Sequence, residues 1–131
     1  MQTAEDFLHN YLRNRTKVSR EQWAIHELHA RRFFAPNYEP WDCDKSLAGL
    51  ESEQIVAVNN TGDTTEIVTT SVSFGVSQRT RYKLGNVDNS WQITTIESAC
   101  CICLGSGKEG GRVCNICKGK GWSLIGETKV T

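Results

Sequence analysis

Two copies of one eight-residue pattern constrain this chain more than anything else in it. Cys100-Cys101-Ile102-Cys103-Leu104-Gly105-Ser106-Gly107 reads C-x-x-C-x-G-x-G, and Cys114-Asn115-Ile116-Cys117-Lys118-Gly119-Lys120-Gly121 repeats it. Two cysteines at this spacing set both sulfurs on one side of a tight turn and supply half of a tetrahedron. A second such turn supplies the other half. Cys100, Cys103, Cys114 and Cys117 are therefore the predicted ligands of one divalent ion. Zinc, which takes four thiolates in a closed structural site, is the expected metal. The thiolates bind only when deprotonated, so the ion must offset their repulsion and their lost protons. Backbone N–H groups aimed at the sulfurs help to hold that charge.

Glycine adopts φ > 0 without a Cβ clash, so the residues after each cysteine pair read as turn-makers. The linker Lys108-Glu109-Gly110-Gly111-Arg112 is polar, carries a Gly-Gly turn signal and can fold the half-sites together as a hairpin. Two C-x-x-C disulfides or a redox-active pair are the alternatives. A reactive thiolate favours a helix start, and glycine after each pair argues against a helix there. Cys101 reads as a spare thiol that can also replace Cys100 in another register. Cys43, far away in sequence, reads as a small buried hydrophobe.

The eight-residue unit resembles the zinc-binding repeat of the DnaJ cysteine-rich domain. That family carries four copies and binds two zincs, whereas two copies here suffice for one. The resemblance covers about a sixth of the chain and implies metal binding. Chaperone activity is not implied, because the family's substrate-binding groove and other domains have no counterpart in the sequence.

With 131 residues the chain suits one compact domain plus a small appendage. Charge is balanced, 15 basic against 15 acidic residues, which gives no support to a strongly basic nucleic-acid surface. The balance is uneven: residues 1–99 hold 10 basic and 13 acidic residues, residues 100–131 hold 5 and 2. Four thiolates on one dication bring two further negative charges, so the basic C-terminal part largely compensates its own site. The start, Met1-Gln2-Thr3-Ala4-Glu5-Asp6, is acidic and lacks the apolar run of a secretory signal. No stretch approaches the ~18–20 apolar residues of a membrane span. Free thiols with a metal cluster fit a reducing cytosol, and a soluble cytoplasmic protein is expected.

The first third reads helical. Ala4, Phe7, Leu8, Tyr11 and Leu12 form one apolar stripe, with Thr3 as its cap. Ser19 opens a second helix with Gln22 at the capping-box position and Trp23, Ala24, Ile25 and Leu28 on its apolar face. Phe33-Phe34 closes that helix before Pro36. Pro40 and Trp41 lie in a connector, and residues 46–50 read as a short helical turn. From residue 53 the pattern changes to strands. Ile55 to Val58 is β-branched and precedes a turn at Asn59 to Asp63. Glu66 to Phe74 alternates, with Val68, Thr70, Val72 and Phe74 on one side and Ile67, Thr69, Ser71 and Ser73 on the other. Arg79 to Leu84 alternates again, Asn86 to Asn89 is a turn, and Trp91 to Ile96 is a fourth strand. Helices followed by hairpin-spaced strands argue for an α+β fold.

This order resembles the nuclear transport factor 2-like (cystatin-like) superfamily. The matching features are the amphipathic opening helix, the aromatic connector Phe33-Phe34…Trp41 and the last hairpin, Arg81-Tyr82-Lys83-Leu84…Trp91-Gln92-Ile93. The resemblance covers residues 1–98. It implies N-terminal helices packed on a curved antiparallel sheet of about four strands, with a small four-cysteine finger over residues 99–131. Polymorphic-toxin immunity proteins of this superfamily are similar in size and layout. The resemblance also implies a sheet face that makes homodimers. Trp122, Leu124 and Ile125 are expected to dock the finger onto the sheet domain.

Other residues offer weaker chemistry. His26 and His29 can face a pocket, although a solvated or capping role is plainer. Asp42 and Asp44 can act as acid and base, or form a solvated acidic turn. By resemblance, Asp42 with His26 is the Asp–His pair to test. Arg79, Arg81 and Lys83 form a basic row that meets phosphate, an acidic partner or, most simply, solvent. Trp41 and Trp91 read as packing groups. No Ser-His-Asp order, phosphate loop or dinucleotide fingerprint occurs. The leading expectation is a non-enzymatic, zinc-stabilised module that binds a protein partner, with a toxin as the partner implied by resemblance. An enzyme or small-ligand binder using the cone cavity of the sheet is the second. The third is a nucleic-acid-binding finger with Lys108, Arg112, Lys118 and Lys120 on phosphates, which the near-neutral charge disfavours.

Overall fold

The opening helix forms as α1, Ala4–Arg15. Thr3 starts it: its Oγ1 accepts the Asp6 N–H at 3.1 Å, satisfying one of the orphan donors of the first turn. Glu5 and Asp6 add negative charge where the helix dipole favours it. The stripe expected from the sequence is the buried face: Ala4, Phe7, Leu8, Tyr11 and Leu12 are all inside. The structure, a computed structural model, describes residues 3–15, 33–35, 38–40, 53–73, 76–87, 90–100, 103 and 105–128.

The strands are β1 (Tyr38–Pro40), β2 (Gln54–Thr61), β3 (Thr64–Ser73), β4 (Val76–Val87) and β5 (Ser90–Ala99), then the small pair β6 (Lys108–Glu109) and β7 (Arg112–Val113), and last β8 (Trp122–Thr128). Six of them make one sheet in the order β1-β8-β5-β4-β3-β2, with every neighbouring pair antiparallel. The α+β architecture is thus as expected, and the four expected strands form the meander β2 to β5. The sheet is wider than about four strands, because β8 and β1 extend it beyond β5. The turn expected over Asn59 to Asp63 is tighter than that: Asn59, Asn60 and Thr61 stay in β2, and Gly62-Asp63 alone close the hairpin. Gly62 has φ +70°, which a two-residue hairpin loop requires at its first position.

β8 pairs with β5 from Ala99↔Trp122 to Thr95↔Glu127. Residues 122–128 therefore belong to the sheet, and a division at residues 98/99 separates them from their pairing partner. The cysteine segment is an insertion between two neighbouring strands rather than a tail behind a finished domain.

The core lies between α1 and one sheet face. Phe33 meets Phe7 and Tyr11 edge-on at 5.6 Å each, Phe34 meets Tyr11 at 5.4 Å, and Tyr82 meets Tyr11 at 6.2 Å. The sheet contributes Ile67, Tyr82, Leu84, Ile93 and Ile96, all fully buried. Burying a side chain such as Ile93 or Leu8 stabilises by about 2 kcal/mol. On β3 the core side is the one bearing Thr65, Ile67, Thr69 and Ser71, which are buried. Two of its hydroxyls have partners: Thr65 donates to Asn60 Oδ1 at 2.7 Å, and Thr69 donates to the Glu53 carboxylate. Tyr82 donates to the same carboxylate at 2.7 Å. The more apolar side of β3, with Val68, faces away from α1.

Phe34 bridges Ile93 in parallel, and the Ala35 N–H donates to the Ile93 carbonyl at 2.9 Å. The rest of the second expected helix lies outside the described residues, with Trp23, His26 and His29. So do Trp41, Asp42, Cys43, Asp44 and the turn expected over residues 46–50.

Candidate metal centre

The insertion is built from its glycines and cysteines. Gly110 and Gly111, at φ +57° and +80°, turn β6 into β7, so the linker hairpin forms as the sequence predicts. That hairpin lays the first C-x-x-C-x-G-x-G copy against the second, and the two meet through reciprocal contacts. The Cys100 N–H donates to the Gly121 carbonyl at 2.7 Å, and the Cys114 N–H donates to the Gly107 carbonyl at 2.9 Å. Each joins the first cysteine of one copy to the last glycine of the other, as a local two-fold axis requires.

The same relation explains the glycines. A Cβ on Gly107 would stand 2.5 Å from the Gly119 carbonyl oxygen, and one on Gly121 would stand 2.5 Å from the Gly105 carbonyl oxygen. Both lie far inside ordinary contact and meet backbone, which cannot swing aside. The last glycine of each copy is therefore a spacing element between the two halves as well as a turn residue.

This packing gathers the four predicted ligands. The sulfurs of Cys100, Cys103, Cys114 and Cys117 lie within 4.8 Å of one another. Cys100 and Cys114 are separated by 3.9 Å between sulfurs, Cys103 and Cys117 by 3.6 Å. A tetrahedral ion with metal–sulfur bonds of ~2.3 Å needs sulfurs about 3.8 Å apart, so the cluster is already of the right size. All four are free thiols, and Cys103 and Cys114 are buried. The Gly107 N–H donates to Cys103 Sγ at 3.3 Å and the Gly121 N–H to Cys117 Sγ at 3.2 Å. These are equivalent bonds in the two copies, and they favour thiolate. Cys100 takes part in the cluster; Cys101 lies outside the described residues.

The electrostatics call for a cation. On Cys103 burial is the strongest influence and pushes the pKa up. The Gly107 N–H, the Cys117 thiol, the Gly105 N–H and the Cys100 thiol together outweigh it and hold the group at about 6. On Cys114 the Cys117 N–H is the strongest influence and favours thiolate, as does the Ile116 N–H. Burial and the competing Cys117 and Cys100 sulfurs prevail and push it up to about 11. Charge thus settles readily on Cys103 while the Cys114 proton is held far above neutrality. A divalent ion is the group that releases that proton and satisfies all four donors. Four sulfurs with N–H donors beside them, and no fifth ionisable group in the cluster among the described residues, fit a closed site.

The finger is fastened to the sheet by Trp122. A Cβ on Gly105 would stand 2.7 Å from the Trp122 ring, so the indole lies directly on the finger's backbone. On the sheet side Arg81 sits over the same ring at 4.5 Å. The basic row of β4 divides in its partners. Arg81 binds Glu97 through Nε and Nη2, both at 2.9 Å, and Lys83 lies 3.5 Å from Glu97 and 3.9 Å from Glu66. Arg79 is exposed and has no ion pair among the described residues. Sequence reasoning missed Glu53, which gathers the Tyr82 and Thr69 hydroxyls, because a lone glutamate ahead of a β-branched run carries no spacing signal. No family model, curated protein or solved structure matches this chain. No described helix is long and apolar enough to cross a membrane.

Proposed function

We propose that this protein is a non-enzymatic protein-binding module whose fold is completed by one structural zinc ion. The observation that supports the reading is the closed four-thiol cluster. The chain itself supplies all four sulfur donors that a tetrahedral ion takes, which is the arrangement of structural sites. Zinc suits the tetrahedral all-sulfur donor set better than the harder divalent ions do. The described core adds support, because Phe7, Leu8, Tyr11 and Phe33 fill the space between α1 and the sheet. At its margin the Glu53 carboxylate accepts from both the Tyr82 and the Thr69 hydroxyls. The narrower form of the proposal places the sheet part in the nuclear transport factor 2-like superfamily and makes the partner a toxin neutralised by an immunity-type protein. A reducing, cytoplasmic setting goes with it, since the free thiols must stay reduced.

Native mass spectrometry of the freshly reduced chain, followed by affinity capture from the native host lysate, tests the reading. One zinc per chain and one stoichiometric protein partner are the expected results. A chain that carries no metal, or that captures no stoichiometric partner, refutes it.

A further inference from the structure

The sheet face away from α1 carries a groove of ≈ 450 Å³ beside the finger. Its floor is Val56, Ala57 and Val68, Gly105 and Ser106 stand beside it with Trp122, and Arg79 is its cation. We infer that this groove is the site at which the module grips its partner, and that it takes an extended peptide bearing an acidic side chain two residues from an apolar one. The inference rests on the protein-binding reading above and names the site and the ligand chemistry.

Three observations carry it. The first is a β-bulge that builds the floor. In β2, Ile55 pairs with Thr69 and Ala57 with Val68, which leaves Val56 as the extra residue. Strict alternation would send Val56 and Ala57 to opposite faces. With the bulge both line the groove beside Val68, while Ile55 packs on the core on the other side. Bulges at sheet edges re-aim side chains in this way, and β2 is an edge strand. Val56 is left 52% exposed, an apolar surface without a cover among the described residues.

The second is charge. Arg81 and Lys83, the neighbours of Arg79 on the same face, are neutralised by Glu97 and Glu66. Arg79 alone has no carboxylate among the described residues, and it lines the groove. A guanidinium is a forked donor suited to a carboxylate. One available cation among the described lining residues, which are otherwise uncharged and mostly apolar, fits a single acidic side chain. A polyphosphate backbone wants several cations.

The third is spacing. Val68 pairs with Arg81, so Arg79 is its diagonal neighbour on β4, at about 7–8 Å. Side chains two apart on an extended chain share one side and are separated by about 6.8 Å. A peptide laid in the groove can therefore seat an apolar side chain on Val56 and Val68 against Trp122 while its acidic side chain reaches Arg79.

Selection of random octapeptides on the zinc-loaded full chain, with resynthesis of the enriched peptides and anisotropy titration, tests this. The expected result is enrichment of Asp or Glu two positions from an apolar residue, with affinity lost about tenfold in Arg79→Ala and equally on acid-to-amide exchange in the peptide. Arg79 is exposed, so the variant keeps its fold, which circular dichroism checks. No enrichment, enrichment of basic or uncharged peptides, or undiminished binding to Arg79→Ala overturns the inference. Capture of the full-length partner by Arg79→Ala at wild-type strength also overturns it while leaving the module reading intact. Loss of any partner from wild type refutes the module reading instead.

Discussion

Gly121→Ala, set against Gly110→Ala, isolates what the repeat's last glycine contributes. Both residues sit at positive φ, +77° and +57°. An L-residue there costs about 1–2 kcal/mol, offset by about 0.4–1 kcal/mol from the stiffer unfolded chain. At Gly110 nothing lies within 4 Å of the new Cβ, so this backbone cost is all there is: about 1 kcal/mol. At Gly121 the Cβ would meet the Gly105 carbonyl oxygen at 2.5 Å and carbon at 2.9 Å. Relief requires the two copies to separate by most of an ångström. That movement stretches the Gly121 N–H bond to Cys117 Sγ, now 3.2 Å, and the Cys100 N–H bond to the Gly121 carbonyl, now 2.7 Å. A bond to a charged sulfur contributes about 1.5–3 kcal/mol, so the total for Gly121→Ala is about 2.5–4 kcal/mol. Ordering of this segment is coupled to metal binding, so the cost appears in the metal affinity. Competition against a chromophoric chelator is expected to show zinc bound about fivefold more weakly by Gly110→Ala and over about a hundredfold more weakly by Gly121→Ala. Affinities of the two variants within about threefold of each other would refute the reciprocal packing of the two copies.

Zinc affinity should rise with pH, because Cys114, at about 11, must lose a proton to bind across the whole accessible range. Cys103, at about 6, is already thiolate above that pH and adds one further proton only below it. A plot of log affinity against pH is therefore expected to steepen by one proton per ion as pH falls through about 6; a constant slope in the same competition assay contradicts the assignment. Chelation should raise amide exchange first in β8 and in β1, which pairs with β8, while β3 and β4 keep their protection. Equal protection of β8 with and without chelator, measured by exchange mass spectrometry, counts against the metal as a clasp between β5 and β8. Arg81→Ala removes the contact over Trp122 and the forked bond to the part-buried Glu97 and should cost about 1–2 kcal/mol in denaturant unfolding. Arg79→Ala, two residues away on the same strand, should stay within about 0.5 kcal/mol of wild type.

The residues that announce themselves in the sequence are those whose chemistry is local. The four sulfurs come together as the spacing of the repeat dictates, because each half-site is a single turn. The helix stripe and its Thr3 cap are legible for the same reason: a 3.6-residue period and one hydrogen bond three residues away. What was not legible depends on partners far along the chain. β8 carries Gly126 and follows a run of cysteines and glycines, so its strand character appears only once β5 offers an edge. β1 is three residues long and ends in Pro40, which lacks an N–H and is tolerated on an edge strand. The choice of the hydroxyl side of β3 for the core needs Glu53 and Asn60 as acceptors and the finger beside Val68 on the other face. Neither is visible in alternation alone.

The position of the metal site gives it an influence larger than its own few residues. Residues 100–121 join two strands that lie side by side, and a structureless connection of that length is uncommon inside a compact domain. Gathered on one ion, the same segment becomes two tight turns and the β6–β7 hairpin, and its ends are held at β-pairing distance by the Cys100–Gly121 backbone bond. On the proposed metal binding, loss of the ion leaves β8 to find β5 across a longer flexible loop, at an added loop-closure cost. β1 then loses the strand it pairs with. Metal occupancy is thereby linked to one whole margin of the sheet, and through Trp122 to the groove on its outer face. On the proposed reading, a partner whose binding in that groove depends on the metal raises the affinity for the metal by the same factor, since linkage between two sites is reciprocal.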